Sequence, residues 1–179
     1  MDFLSCESIN LHKEYLRKLK LKYSVFEASY PEIKDAVYRE IARSRLDKSE
    51  KKEIINLKSE IEAHEIFFKS FIANGEKCER NEFISRSFGS EANFLFEILQ
   101  YAKDKNGFLL LYFDRGGRIK KYCGDDYSRI MFYYDCVLSV DLCEHAYFMD
   151  FGFDKERYLS YALSNLKLSK LNKQKYIAK

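Results

Sequence analysis

The sequence contains no CxxC pair, no apolar run approaching the roughly 18 residues of a membrane span, and no block of like charge. Its cysteines, Cys6, Cys78, Cys123, Cys136 and Cys143, are odd in number and widely spaced, which argues against a disulfide framework and for reduced thiols. The opening MDFLSCESIN is neither an apolar signal segment nor an Arg-rich amphipathic import peptide, so the expected location is cytoplasmic. Thirty-one Lys and Arg are interleaved with 28 Asp and Glu, giving a net charge of +3. That bias is too weak and too scattered for a dedicated nucleic-acid binder, so neither nucleic acid nor membrane is an expected partner. Internal repeats and low-complexity segments are also missing. What remains is 179 residues, 46% of them hydrophobic, enough to bury a real core.

His12, Leu16, Leu19, Tyr23 and Phe26 recur at alternating spacings of four and three, which predicts a helix with His12 on its apolar face. Ser5 or Ser8 would cap it, and Pro31 would end it before a short helical stretch around Ile33, Val37 and Ile41. The polar segment from Arg43 to Glu53 reads as a solvated turn or helix end. Leu57, Ile61, His64, Phe68 and Phe71 form a second stripe of the same period, closed by Asn74 and Gly75. Two amphipathic helices, each with a histidine on its apolar side, suggest an antiparallel hairpin.

Further along, Ser90 is placed to cap a helix carrying Phe94, Leu95, Ile98 and Leu99 and ending near Asn106 and Gly107. The pattern then turns to strand. Phe108 to Phe113 is an apolar run, Asp114-Arg115-Gly116-Gly117 is turn chemistry, and Arg118 to Tyr122 completes a hairpin. Val137 to Asp141 gives a third strand, Lys155 to Leu168 a last helix, and Lys-rich residues close the sequence.

The residues that carry most information are Asp141-Leu142-Cys143-Glu144-His145-Ala146-Tyr147. This segment resembles the D-x-W-E-H-A-Y signature of the iron/manganese superoxide dismutases. Other segments agree in order: Leu4 to His12 with the family's first-ligand segment, Ala63 to Phe68 with its second-ligand helix, and Ser87-Phe88-Gly89-Ser90 with the opening of its third helix. The resemblance implies an α+β fold: an N-terminal antiparallel helical hairpin (residues 1–77) and a C-terminal domain (residues 78–179) with a three-stranded antiparallel sheet flanked by helices. A metal site would lie between them. Carried over by position, the implied ligands are His12, His64, Asp141 and His145, which include every histidine of the sequence. The family's Pro-rich leader has no counterpart here, and a shifted alignment would put Glu7 in place of His12.

Three imidazoles and a carboxylate, with a fifth position for water or hydroxide, suit iron or manganese in either of two oxidation states. The resemblance therefore implies one Fe or Mn ion per subunit, superoxide as substrate, and its disproportionation to oxygen and hydrogen peroxide. It also implies a homodimer, because in the family the residue at Glu144 reaches the partner's metal-bound histidine. Glu60, Asp126, Glu144 and Tyr147 are the candidates for the surroundings of the ligands.

Those surroundings depart from the family. Its channel tyrosine falls on Lys20, a neighbouring histidine on Leu16, and the tyrosine that pairs across the dimer on Phe148. The glutamine that tunes the bound water falls on Glu60 in iron enzymes, with Asp125 and Asp126 in the region that supplies it in manganese enzymes. Phe68, Phe108 and Cys143 replace tryptophans. Two alternatives to a dismutase follow: a non-enzymatic structural subunit with the same fold, or another Fe/Mn redox metalloprotein.

Overall fold

A computed structural model describes residues 3–71, 84–85, 88–126 and 128–171. Ser5 opens the first helix, α1 (Cys6–Ser29): its hydroxyl accepts from the Ser8 N–H, and Glu7 sits in the first turn, where the helix dipole favours an acid. Pro31 disfavours helical backbone at Tyr30, whose φ of −131° and ψ of 80° end the helix. The helical stretch expected around Ile33, Val37 and Ile41 is divided. A 3-10 turn, Pro31–Ile33, and helix α2 (Tyr38–Arg43) are separated by Asp35 in left-handed backbone, and Val37 is an exposed N-cap. Ile33 and Ile41 still meet Ile54 in a small core of their own.

The polar segment from Arg43 to Glu53 is not a turn throughout. Helix α3 (Lys48–Lys69) begins inside it with a capping box, in which Asp47 accepts from the Ser49 and Glu50 N–H groups and Glu50 accepts from the Asp47 N–H. The Asp-x-x-Glu spacing was the signal, outweighed by the lack of apolar residues. Burial along α3 is also wider than the stripe from Leu57 to Phe71. Phe67 and Ala63 are fully buried whereas Phe68 is partly exposed, because the helix packs on α1 on one side and on the sheet on the other. Asn74 and Gly75 lie outside the described residues.

Ser90 caps α4 (Glu91–Ala102) by accepting from the Asn93 N–H. Gly107 then starts the sheet with φ of +80°, and a Cβ there would lie 2.3 Å from the Gly124 carbonyl oxygen, so only glycine fits. Strands β1 (Phe108–Phe113), β2 (Ile119–Gly124) and β3 (Cys136–Asp141) form a three-stranded antiparallel sheet in the order β2-β1-β3. The apolar run is thus the central strand, covered on both faces. Asp114 closes the hairpin by accepting from the Gly116 and Arg118 N–H groups.

Two short helices had no clear signal: α5 (Ser128–Tyr133) and α6 (Glu144–Phe151), the latter made by the metal-motif segment itself. The last helix, α7 (Lys155–Ser164), is capped by Asp154 and ends before Leu168. Leu166 instead bridges to Phe71, and a 3-10 turn, Leu168–Leu171, follows. The fold is α+β, with helices flanking one antiparallel sheet. One core joins Phe67 and Phe71 of the α3 region to Leu109, Leu138 and Tyr158. The boundary expected between residues 77 and 78 lies outside the described residues.

Ser70 ties these layers together: its hydroxyl donates to the Ile66 carbonyl and accepts from the buried Ser139 N–H, and its own carbonyl accepts from the Lys167 N–H. Ser70→Ala would strand the Ser139 N–H away from water, at about 1–3 kcal/mol. A fall of that size in urea-unfolding free energy is the expected result; no change would show that water reaches Ser139.

Candidate metal centre

Four elements converge at the end of the sheet. His12 comes from α1, His64 from α3, Asp141 from the last position of β3, and His145 from the first turn of α6. The strand-to-helix corner is fixed by backbone groups. The Leu142 N–H donates to the Gly107 carbonyl, the Cys143 N–H donates to Asp141 Oδ1, and the Tyr158 hydroxyl donates to the Asp141 carbonyl. This leaves Asp141 Oδ2 aimed inward, fully buried.

Around that oxygen stand three imidazole nitrogens. Nε2 of His145 is 3.0 Å away, that of His12 3.2 Å and that of His64 3.5 Å. One ligand atom from each of the four residues lies within 4.8 Å of all the others. None of the four atoms makes a hydrogen bond, although all are buried. Buried polar atoms normally find partners, and four converging nitrogen and oxygen atoms with no hydrogen bond among them are what a cation would satisfy. The set has three borderline nitrogens and one hard oxygen, with no thiolate, and so fits iron or manganese better than copper(I).

The second nitrogen of His64 is held: Nδ1 stands 2.7 Å from the Glu60 carbonyl, which can only accept, so the proton sits on Nδ1 and the Nε2 lone pair faces the cluster. Aromatic rings fence the site. Phe67 stacks on His12 with ring centroids 4.5 Å apart, Phe68 meets the same ring edge-on at 5.3 Å, and Phe108 meets His64 at 4.9 Å. Burial lowers the pKa of His64 to about 4, despite the attraction of Asp141. For Asp141 burial acts upward but is outweighed by the facing His12 and His145, and its pKa is lowered. His145 shows the opposite balance: burial acts downward, but Asp141 and Glu60 hold its pKa above the ordinary value.

The residues expected around the ligands divide. Glu60 faces the site, accepting from the Tyr15 hydroxyl at 2.8 Å. Asp126 is exposed, with Ser128 as its side-chain hydrogen-bond partner. Glu144 is exposed and lines a cleft with Leu11, His145, Phe148, Met149 and Phe153. Tyr147 is buried against Tyr158, with ring centroids 4.9 Å apart. Glu7 is exposed in the first turn of α1, and the cluster holds His12 instead. Lys20 does not face the cluster but pairs with Glu65 at 2.6 Å. The Cys143 thiol is pushed up to about 12, chiefly by burial, and stays protonated.

Tyr15 is the residue that sequence reasoning missed. Its ring lies 4.6 Å from that of His145 and 5.4 Å from that of His64. The signal was there: Tyr15 is one turn after His12 on α1 and Glu60 one turn before His64 on α3, and antiparallel helices bring those turns level.

The fold and this cluster define a class: an α+β protein whose four-residue His and Asp group could hold one metal ion. The chain belongs to the iron/manganese superoxide dismutase family, since the model described as iron/manganese superoxide dismutases, C-terminal domain, matches residues 76–174. That span contains Asp141 and His145, while His12 and His64 precede it. No curated protein matches the chain. Membership points to superoxide-dismutase-type oxidoreductase chemistry with a metal cofactor. Among the described residues, no helix is long and apolar enough to cross a membrane.

His64 sets an acid limit on the metal-free protein. Unfolded, it takes a proton near pH 6.5; folded, only near 4, so stability falls as pH drops through that window, by on the order of 3 kcal/mol. The contribution of His145, whose pKa is raised, is fully present below pH 6.5, and that of Asp141 is lost only below pH 3.8, so neither masks the slope. Urea titrations of metal-free protein across pH 4.5–6.5 should show the fall, and His64→Gln should flatten it. An equal slope in both proteins would place the titration elsewhere.

Proposed function

We propose that the protein is a superoxide dismutase whose single Fe or Mn ion is held by His12, His64, Asp141 and His145. The observation that carries this is the convergence of three imidazole Nε2 atoms on Asp141 Oδ2, all buried and none hydrogen-bonded. When bound, the ion supplies the one-electron oxidant and reductant that disproportionation alternately needs.

The chain's own residues do the rest. Superoxide becomes peroxide only if two protons arrive, and they travel through hydrogen-bonded groups. Tyr15 holds a proton at the edge of the cluster, donated to Glu60. Lys20 and Leu16 stand at the sequence positions of two polar groups of the family, so we assign the proton route to this hydrogen-bonded pair beside the cluster. Glu60 also brings a carboxylate where iron enzymes carry a neutral amide, and the added negative charge favours the oxidised ion. Phe67, Phe68 and Phe108 keep water from the imidazoles.

The site is completed by a second copy of the chain. Glu144 and His145 border a cleft whose other walls, Leu11, Phe148, Met149 and Phe153, are apolar and exposed. A symmetric dimer would cover those side chains and bring Glu144 to the partner's cluster. Sedimentation equilibrium should show a dimer, with Phe148→Asp shifting it toward monomer; a monomeric parent at micromolar concentration would overturn this.

Elemental analysis after expression with both metals supplied tests the centre. We expect about one Fe or Mn per chain, lost in His64→Ala and His145→Ala. Tyr15→Phe and Glu60→Gln should keep the metal while changing superoxide turnover roughly tenfold or shifting its pH profile. Metal without superoxide turnover would favour another redox role, and a metal-free parent would favour a structural subunit.

A further inference from the structure

A second concave site lies on the same sheet, away from the cluster. The β1–β2 turn and α5 wall an open cleft of about 730 Å³, a volume in the range of small-molecule sites. His64 packs on Phe108 at the start of β1, and the cleft is reached at Tyr112, roughly 13 Å further along the strand. Its walls carry three tyrosines, Tyr112, Tyr133 and Tyr134, and three arginines, Arg115, Arg118 and Arg129.

The charge on this cleft is only partly compensated: Arg118 pairs with Asp114, and the other two arginines do not. Several exposed cations elsewhere stand against acids: Arg17 reaches Glu14 at 2.7 Å, Lys22 reaches Glu53 at 2.9 Å and Lys20 reaches Glu65 at 2.6 Å. In the cleft the lining carboxylate is Asp114, and it is already engaged. Oδ1 accepts from the Gly116 and Arg118 N–H groups, and Oδ2 accepts from Arg118 Nε. Among the described residues, no acid pairs with Arg115 or Arg129.

The aromatic part is equally specific. Tyr112 and Tyr134 pack with ring centroids 4.9 Å apart and form a fixed wall, while Tyr133, also lining the cleft, is half-exposed and braced by Phe132 at 4.6 Å. Guanidinium forks match phosphate oxygens in pairs, and tyrosine faces accept any planar base. A bare anion would leave the tyrosines without a role, and an apolar ligand would leave the guanidinium groups of Arg115 and Arg129 facing it. We infer that this cleft binds a nucleotide, with the phosphates on Arg115, Arg118 and Arg129 and the base against the tyrosines. The same chemistry is offered by a free nucleotide and by a nucleotide unit of single-stranded RNA. The inference does not depend on the metal centre.

Isothermal titration calorimetry of the whole chain tests it with ATP, adenosine, tripolyphosphate and a ten-nucleotide oligouridine. ATP should bind about tenfold or more tightly than adenosine or tripolyphosphate, since only ATP engages both walls. Arg115→Ala with Arg129→Ala, and separately Tyr133→Ala, should each weaken ATP about tenfold while leaving metal content and the thermal midpoint unchanged. If oligouridine outcompetes ATP and is lost in the same variants, RNA is the source of the nucleotide; if it does not compete, the free nucleotide is. Three results would overturn the inference: no ATP binding at millimolar concentration, tripolyphosphate binding as tightly as ATP, or ATP heats that persist in both variants, as chelation of the metal would give.

Discussion

A single buried carboxylate organises this molecule. Asp141 ends the edge strand β3 with no solvent access, and an ionised carboxylate cannot remain there without compensation. One oxygen is satisfied by the Cys143 N–H, and the other faces three imidazoles. Every element that supplies one of those imidazoles is thereby tied to the sheet. Helix α1 must lie where His12 can reach, α3 where His64 can, and α6 must start within four residues of the strand. The apolar contacts of Phe67 and Phe108 have the same geometry to serve, since they seal the rings that face the carboxylate.

Much of this was readable in the chain. The two histidine-bearing helices, the central apolar strand and the Asp-to-His segment rest on periodicity and on a specific motif, and those signals are strong because each reflects a whole buried face. Harder to read were features set by a few polar residues. The start of α3 depended on Asp47 and Glu50 amid charges, and α5 is too short for a period to emerge. Lys20 could be aligned with a channel position yet points to Glu65, because alignment gives a place along a helix and not the direction a long side chain takes.

Tyr15 and Glu60 show the same limit from the other side. Glu60 aligns with the family's glutamine and Tyr15 with no position singled out in the sequence, yet antiparallel packing sets them level and 2.8 Å apart. Half of that pair comes from each helix, so it can be recognised only once the register between helices is known. His64 adds a link, since its Nδ1 proton is held by the backbone of Glu60 while the side chain of Glu60 is held by Tyr15. One residue thus orients a ligand and carries a charge beside it.

The four clustered side chains are unequally hidden: those of His12, His64 and Asp141 are 0–1% exposed, whereas that of His145 is 29% exposed. Solvent therefore reaches the ring of His145, but not its Nε2, which is buried with the other three converging atoms. A metal held as proposed above would reach those atoms only where α1 or α6 lifts from its neighbours. Its release would need the same opening, so burial of the cluster would set how long the ion stays as well as how it enters.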